Sequence, residues 1–304
     1  MSGLSGVTAL AVGADAPGPS GFACALLSSG TVECWGINWD GELGEGTLLG
    51  PETCNNLPCS TTPVAVSGLS GVTGIAAGQR FACALLSGGT VDCWGSSFYG
   101  QLGNGTSTGS TTPVAVSGLS GATAISAMGD FACALLPGGT VECWGDNEWG
   151  QLGDGTSTGP QTCGPPSGSR SCSMTPVAVS GLSGVTAIAA GGAHACALLS
   201  GGTVDCWGAN FFGQLGSGTS SGPETCNGMA CSTTPVAVPG LSGVRAIAAG
   251  GSESCALLTG GTIECWGDNT FGELGIGTST GPQKCMYGNM PSPCSPTPVK
   301  VSGL

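Results

Sequence analysis

The sequence predicts an all-β protein: a β-propeller of five four-stranded blades stapled by disulfides. Three observations predict it. The tripeptide Cys-Trp-Gly recurs with its tryptophan at 35, 94, 144, 207 and 266, at intervals of 59, 50, 63 and 59 residues. Self-similarity at such a period marks a repeat architecture. Glycine supplies 59 of 304 residues and charged residues only 8%, while 40% are hydrophobic, so the glycine load belongs to tight turns between buried strands and not to disorder. Eighteen cysteines fall in regular pairs.

Each copy carries the same parts in the same order. A run such as Gly184 to Gly191 comes first, rich in alanine, as at Ala9, Ala11, Ala187, Ala189 and Ala190. Small side chains suit a crowded strand near a central axis. Next comes a strand such as Cys196-Ala-Leu-Leu199, then a glycine turn, then Thr203-Val-Asp-Cys-Trp-Gly208. A glycine-rich loop follows, Gly213 to Thr219, and last a strand at Thr234 to Val238. All but the loop are short β-branched or aliphatic runs bounded by Gly, Pro or Ser. No 3.6-residue apolar period is long enough for a helix. The reading is about twenty strands in one domain, 1–304, of blades of 50–65 residues near 5–70, 71–120, 121–183, 184–242 and 243–304.

The hairpin of each copy sets a cysteine register. Three residues, Ser28-Ser29-Gly30, separate Leu27 from Thr31, and Gly89, Gly139, Gly202 and Gly261 stand at the same third place. A three-residue hairpin loop takes glycine there, in the left-handed region. That register puts Cys24 opposite Cys34, Cys83 opposite Cys93, Cys133 opposite Cys143, Cys196 opposite Cys206 and Cys255 opposite Cys265. Opposed residues lie about 4.5–5.5 Å apart at Cα, within reach of a disulfide. The other eight form close pairs in variable loops: Cys54 with Cys59, Cys163 with Cys172, Cys226 with Cys231, Cys285 with Cys294. The second copy is the shortest and lacks such a pair, which argues for local bridges, nine in all. Zinc needs about four converging ligands, and the only histidine is His194, so no metal or cofactor is expected.

The recurring pattern Cys-Ala-Leu-Leu, Gly-Gly-Thr-Val-x-Cys-Trp-Gly, Gly-Gln-Leu-Gly-x-Gly-Thr and Pro-Val resembles the regulator of chromosome condensation repeat. It is most similar to the cysteine-containing version of bacterial secreted and surface proteins. The resemblance covers essentially the whole chain and implies a propeller with blades of about fifty residues. Its best-known member is a nucleotide-exchange factor for a small GTPase that docks on chromatin, and a secreted bacterial relative inhibits β-lactamases. Both act by protein contact. Well-known members have seven blades and this chain shows five copies. The basic segments of the chromatin-docking role are absent, so the resemblance carries the fold and not the exchange activity.

Charge narrows the partners. Net charge is −13, with five cations in all, Arg80, Arg170, Arg245, Lys284 and Lys300, too few and scattered for a nucleic-acid surface. No apolar run is long enough to insert in a membrane. So many cysteine pairs expect an oxidising, extracellular or cell-surface location. Met1-Ser2-Gly3-Leu4 has no leader character, so the chain reads as a mature or trimmed form. It begins at Ser2-Gly3-Leu4 and stops at the matching Ser302-Gly303-Leu304, which suits a complete ring, part of a longer array, or one subunit of an assembly.

Two recurring sets are candidate sites. Trp39, Phe98, Tyr99, Trp149, Phe211, Phe212 and Phe271 precede the Gly-x-Leu-Gly loop, where they form a binding surface or pack beneath it. Glu33, Asp92, Glu142, Asp205 and Glu264 precede each Cys-Trp-Gly, as an acidic ring or as a solvated position. The loop has no phosphate-binding lysine. Asp146, Glu148 and Asp154 suggest calcium, but the fourth copy replaces the first and last of them with Ala209 and Ser217. His194 stands where other copies have Phe22, Phe81 and Phe131, so it reads as packing. Asn104-Gly-Thr106 is a glycosylation sequon. The expected function is protein recognition through one propeller face, without catalysis. The alternatives are a structural subunit of an extracellular assembly and, last, a carboxylate hydrolase.

Overall fold

The computed structural model describes residues 4–15, 20–288 and 290–303; the terminal Ser2-Gly3 and Leu304 of the repeat phasing lie outside them. Five antiparallel sheets follow one another along the chain. The first contains β1 (Val7–Asp15), β2 (Ser20–Leu27), β3 (Val32–Ile37), β4 (Glu52–Cys54) and β5 (Leu57–Ala65), in the order β1-β2-β3-β5-β4. The second has four strands in sequence order: β6 (Val72–Ala77), β7 (Phe81–Leu86), β8 (Val91–Gly95) and β9 (Ser110–Ala115). The third has β10 (Ala124–Met128), β11 (Phe131–Leu135), β12 (Val141–Asp146), β13 (Gln161–Cys163) and β14 (Arg170–Ala178), in the order β10-β11-β12-β14-β13. The fourth has β15 (Val185–Ala190), β16 (His194–Leu199), β17 (Val204–Ala209), β18 (Glu224–Cys226) and β19 (Met229–Ala237), with β19 inside β18. The fifth repeats this with β20 (Val244–Ala249), β21 (Glu253–Leu258), β22 (Ile263–Asp268), β23 (Gln283–Tyr287) and β24 (Met290–Lys300).

The expectation of four strands per copy therefore holds only for the second. In the others the cysteine-bearing loop folds back as a fifth strand on the outer edge. In the first and fourth copies a two-residue turn makes this hairpin: Asn55-Asn56 at φ 48° and 67°, and Asn227-Gly228 at 45° and 81°. Both residues of such a turn need positive φ, which Asn and Gly accept most readily. The bridges Cys54–Cys59, Cys163–Cys172, Cys226–Cys231 and Cys285–Cys294 then tie the extra strand to its neighbour.

The central hairpin follows the expected register. Cys24 faces Cys34, Cys83 faces Cys93, Cys196 faces Cys206 and Cys255 faces Cys265, and each pair is bridged. Cys133 and Cys143 are also disulfide-bonded, and no described cysteine is free. The Cα separations are 4.0–4.1 Å, shorter than the 4.5–5.5 Å expected. The reason is the hydrogen-bond phase. Leu27 N–H bonds to Thr31 O, so alternation places the Cys24 and Cys34 pair at a narrow, non-hydrogen-bonded site.

The chain divides into two compact units. Unit 1 runs to Pro137 and includes Trp144–Asp146 and Pro160–Pro176; unit 2 holds Gly138–Cys143, Asn147–Gly159 and Val177 onward. Within unit 1, Phe22, Leu26, Leu43, Val72 and Trp94 share one core, and Phe81, Leu85, Leu102, Leu119 and Trp144 another. Within unit 2, Leu198, Leu215, Leu241, Val244 and Trp266 make the corresponding core. Each core thus takes side chains from two consecutive copies. No helix in the described residues is long and apolar enough to cross a membrane.

Candidate functional site

The glycine-rich loops are held by a common set of buried contacts. Leu43, Leu102, Leu152, Leu215 and Leu274 are all fully buried. Asn38 accepts from Leu43 N–H and donates to Thr47 O; Asn147, Asn210 and Asn269 make the same two bonds in their own loops. Ser97 in the second copy donates to Thr106 O in place of the amide. These asparagines escaped the sequence reading, although Trp-Gly-x-Asn recurs in four copies and signals them. The residue before the leucine clamps the turn by accepting a backbone bond, as Gln101 does from Tyr99, Gln151 from Trp149 and Gln214 from Phe212.

This frame presents the aromatic candidates in different ways. In unit 2 they meet: Trp149 packs edge-on against Phe211 at 5.7 Å, and Phe211 against Phe212 at 5.1 Å. Tyr287, from the extra hairpin of the last copy, joins them, stacked on Phe212 at 5.5 Å with 15° between planes. Phe211 is buried, and Phe212 and Trp149 are half-buried. Phe271 stands 90% exposed, beside no described aromatic. In unit 1, Trp39 and Phe98, both half-exposed, line a cleft of about 240 Å³ with Leu48. Arg80 lies over Trp39 at 5.6 Å and Arg170 over Tyr99 at 4.4 Å, both cation–π contacts. Sequence missed Tyr287 because it lies in the cysteine-bearing outer hairpin, where the residues between the cysteines differ from copy to copy.

The carboxylates have separate settings. Glu33, Asp92, Glu142, Asp205 and Glu264 are half-buried in the third strand of their own sheets, and no hydrogen bond or ion pair joins one to another among the described residues. Burial raises the carboxyls of Asp92 and Asp205 above the usual range. Beneath the unit 1 aromatics, Arg80 donates to Asp40 at 3.5 Å, and Arg170 reaches Asp146 at 3.1 Å and Asp130 at 3.6 Å. Burial first, and the charge of Asp146 second, push Asp130 up to about 7. Burial pushes Glu42 up to about 7, where its Oε1 finds no partner among the described residues.

The calcium candidates have other partners: Asp146 with Arg170, Glu148 with Asn227 at 2.7 Å, and Asp154 with Thr156. Glu52 lies beside Cys54 and Cys59, and Glu224 beside Cys226 and Cys231, but those sulfurs are bonded to each other and offer no thiolate. His194 is fully buried, with Nε2 at 2.8 Å from Ser254 Oγ, and burial lowers it to about 4. Asn104 sits in an exposed loop, its Oδ1 accepting from Thr106.

Comparison with known proteins agrees with the repeat. A profile of the regulator of chromosome condensation (RCC1) repeat matches residues 89–135, 139–198 and 202–257, and a second profile of the same description matches 72–101, 185–214 and 244–273. The human E3 ubiquitin-protein ligase HERC2 is 33% identical over 266 residues, 86% of this chain but 5% of that protein. Human HERC4, a probable E3 ubiquitin-protein ligase, is 36% identical over 113 residues, 36% of this chain and 10% of its own. The chain thus spans a tenth or less of these relatives' length. Prp20p of Saccharomyces cerevisiae, a protein described by its binding to Gsp1p and histones, superimposes with a TM-score of 0.69 at 22% identity, covering 92% of this chain and 61% of its own. Human WBSCR16 gives 0.70 at 24% identity, covering 92% and 65%. The spacing of the strands, the buried tryptophans and the profile matches lead to one assignment: the chain belongs to the regulator of chromosome condensation (RCC1) repeat family, and its sheets are β-propeller blades of that kind.

Proposed function

We propose that the chain is a protein-recognition module of an extracellular or cell-surface protein, using the loop surface of unit 2 as its contact. The observation that carries this reading is the aromatic cluster of Trp149, Phe211, Phe212 and Tyr287, with Met290, paired across the hairpin from Tyr287, 64% exposed. Aromatic and methionine side chains on a rigid frame are the usual anchors of protein interfaces. The matched Prp20p binds proteins, which supports the class of partner but not its identity. The bridged cysteines support an oxidising location. The acidic balance favours a neutral or basic partner surface over nucleic acid.

The test is affinity capture from the extracellular fraction of the source cells with the native chain, beside a Phe212→Ser/Tyr287→Ser variant of unchanged thermal stability. A protein retained by the native chain and lost by the variant supports the reading. Equal retention by both places the contact elsewhere.

A further inference from the structure

The second copy differs from the others by what it lacks. In the first, fourth and fifth copies the ladder between the third strand and its outer neighbour runs on past the glycine: Ile37 faces Cys59, Ala209 faces Cys231 and Asp268 faces Cys294. In the second copy the ladder ends at Gly95 opposite Ser110, and Gly109 stands where the cysteine would. No outer hairpin follows, so β9 is the edge of its sheet. This leaves a backbone donor over. The N–H of Asn38, Asn210 and Asn269 bonds to Pro58, Ala230 and Pro293 O at 2.8–2.9 Å, in the inner strand of the hairpin. The N–H of Ser97, the equivalent residue, meets no acceptor among the described residues. The hydroxyl of Ser96 beside it also makes no hydrogen bond among the described residues. Ser97 and Ser96 are 1% and 3% exposed, and buried polar groups are nearly always paired.

The missing hairpin uncovers a side-chain site as well. Where a copy has the hairpin, the loop of the preceding copy reaches it inside the same compact unit. Tyr99 lies against Gly164, where a Cβ would sit 2.9 Å from its ring. Glu148 accepts from the Asn227 amide at 2.7 Å. Phe211 packs against Tyr287 at 5.2 Å. Trp39 is the first copy's counterpart of Glu148 and Phe211; it has no hairpin to meet, and it is 50% exposed. Trp39, Leu48 and Phe98 instead border the open cleft of about 240 Å³, together with Ser96, Ser97 and Gly109. All six residues belong to unit 1. The unpartnered polar groups and the exposed apolar walls therefore share one cleft.

We propose that this cleft binds an extended segment of a partner protein, which takes the place of the missing hairpin in the second sheet. The segment supplies a backbone carbonyl to Ser97 N–H, as Pro58, Ala230 and Pro293 do in the complete sheets. The Ser96 hydroxyl is its second polar contact. One apolar side chain of the segment enters between Trp39, Leu48 and Phe98, as Tyr287 meets Phe211 in the last copy. This is strand addition, in which backbone bonds give affinity and the pocket selects the side chain. The occupant is a peptide and not a sugar, because the leftover donor is a backbone N–H at a place where the other copies receive a backbone carbonyl. The net charge of −13 favours an uncharged or basic segment. The site lies wholly within unit 1 and does not rest on the aromatic surface of unit 2.

Selection of random dodecapeptides displayed on phage against the folded native chain tests it, followed by amide hydrogen exchange with a recovered peptide made synthetically. The recovered peptides should share one apolar or aromatic position. Saturating peptide should slow exchange of the Ser97 N–H about tenfold or more. Trp39→Ser and Leu48→Ser change side chains that are half-exposed, so their unfolding curves should match the native chain's. Each should weaken peptide binding about tenfold. Peptides held equally by native and variant chains would overturn the proposal, and so would binding that leaves Ser97 unprotected. A selection that recovers no peptide would overturn it too. In that event, glycan-array binding by the native chain that Trp39→Ser abolishes would assign the cleft to sugar.

Discussion

At the scale of single residues, the repeat shows what happens when one position departs from its neighbours. Glu42 occupies a place where Gln101, Gln151 and Gln214 stand in three copies and Glu273 in the fifth, and its carboxyl is raised by burial to about 7. The folded state therefore holds a proton that the unfolded chain releases near 4.5. Its contribution to stability is full below that value and is lost as pH rises through about 7. Asp130 acts in the same direction within unit 1. His194 in unit 2 acts in the opposite sense: lowered to about 4, it contributes stability above about 6.5 that is lost as pH falls toward 4. Urea unfolding followed from pH 4 to pH 9 should show Glu42→Gln flattening the loss on the alkaline side, and His194→Phe, the residue of three other copies, flattening the loss on the acid side. Unchanged profiles would contradict the burial of these groups. The sequence shows both positions varying between copies, but it does not say that the neighbours of Glu42 and His194 exclude water.

The tryptophans make a second comparison at this scale. Trp207→Phe leaves the buried Gln151 carbonyl without its donor and should cost about 1–3 kcal/mol in urea unfolding. Trp35→Phe removes no such bond and should stay within about 0.5 kcal/mol of the native chain. All five tryptophans read alike in sequence, because the difference lies in whether a preceding loop covers them.

At the scale of elements, the hairpin register was legible because glycine at the third loop position has a physical reason. Gly30, Gly89, Gly139, Gly202 and Gly261 all have φ between 73° and 86°. Gly89 shows a second reason: a Cβ there would lie 2.7 Å from the Gly121 backbone, at the start of the next copy. Gly89→Ala should therefore destabilise by about 1–3 kcal/mol, measured by thermal unfolding. Gly88→Ala, with nothing near its Cβ, should be close to neutral. Equal effects would contradict the close approach of successive copies. The outer fifth strands were not legible. They are three to five residues long, and β4 and β18, Glu-Thr-Cys in each case, have little strand character. Asn227-Gly228 was a hairpin signal within reach, but the bridging cysteines read first as a loop closure. Replacing Cys54 and Cys59 by serine should speed amide exchange at β4 and leave β1 to β3 unchanged.

At the scale of the whole molecule, repetition made the family legible and the binding surface obscure. Five copies of Cys-Trp-Gly establish what is common to every blade. Partner choice lies in what differs, and Tyr287 is such a difference. The central claim is that each blade is stapled by its own bridges, and non-reducing peptide mapping by mass spectrometry tests it most directly. Thiols are alkylated in denaturant, then the chain is cut with pepsin, because five basic residues leave trypsin few sites. The expected map contains no alkylated cysteine and joins Cys24 to Cys34, Cys54 to Cys59 and their equivalents, always within one copy. Free thiols in quantity, or bridges from one copy to another, would contradict both the hairpin register and the oxidising location.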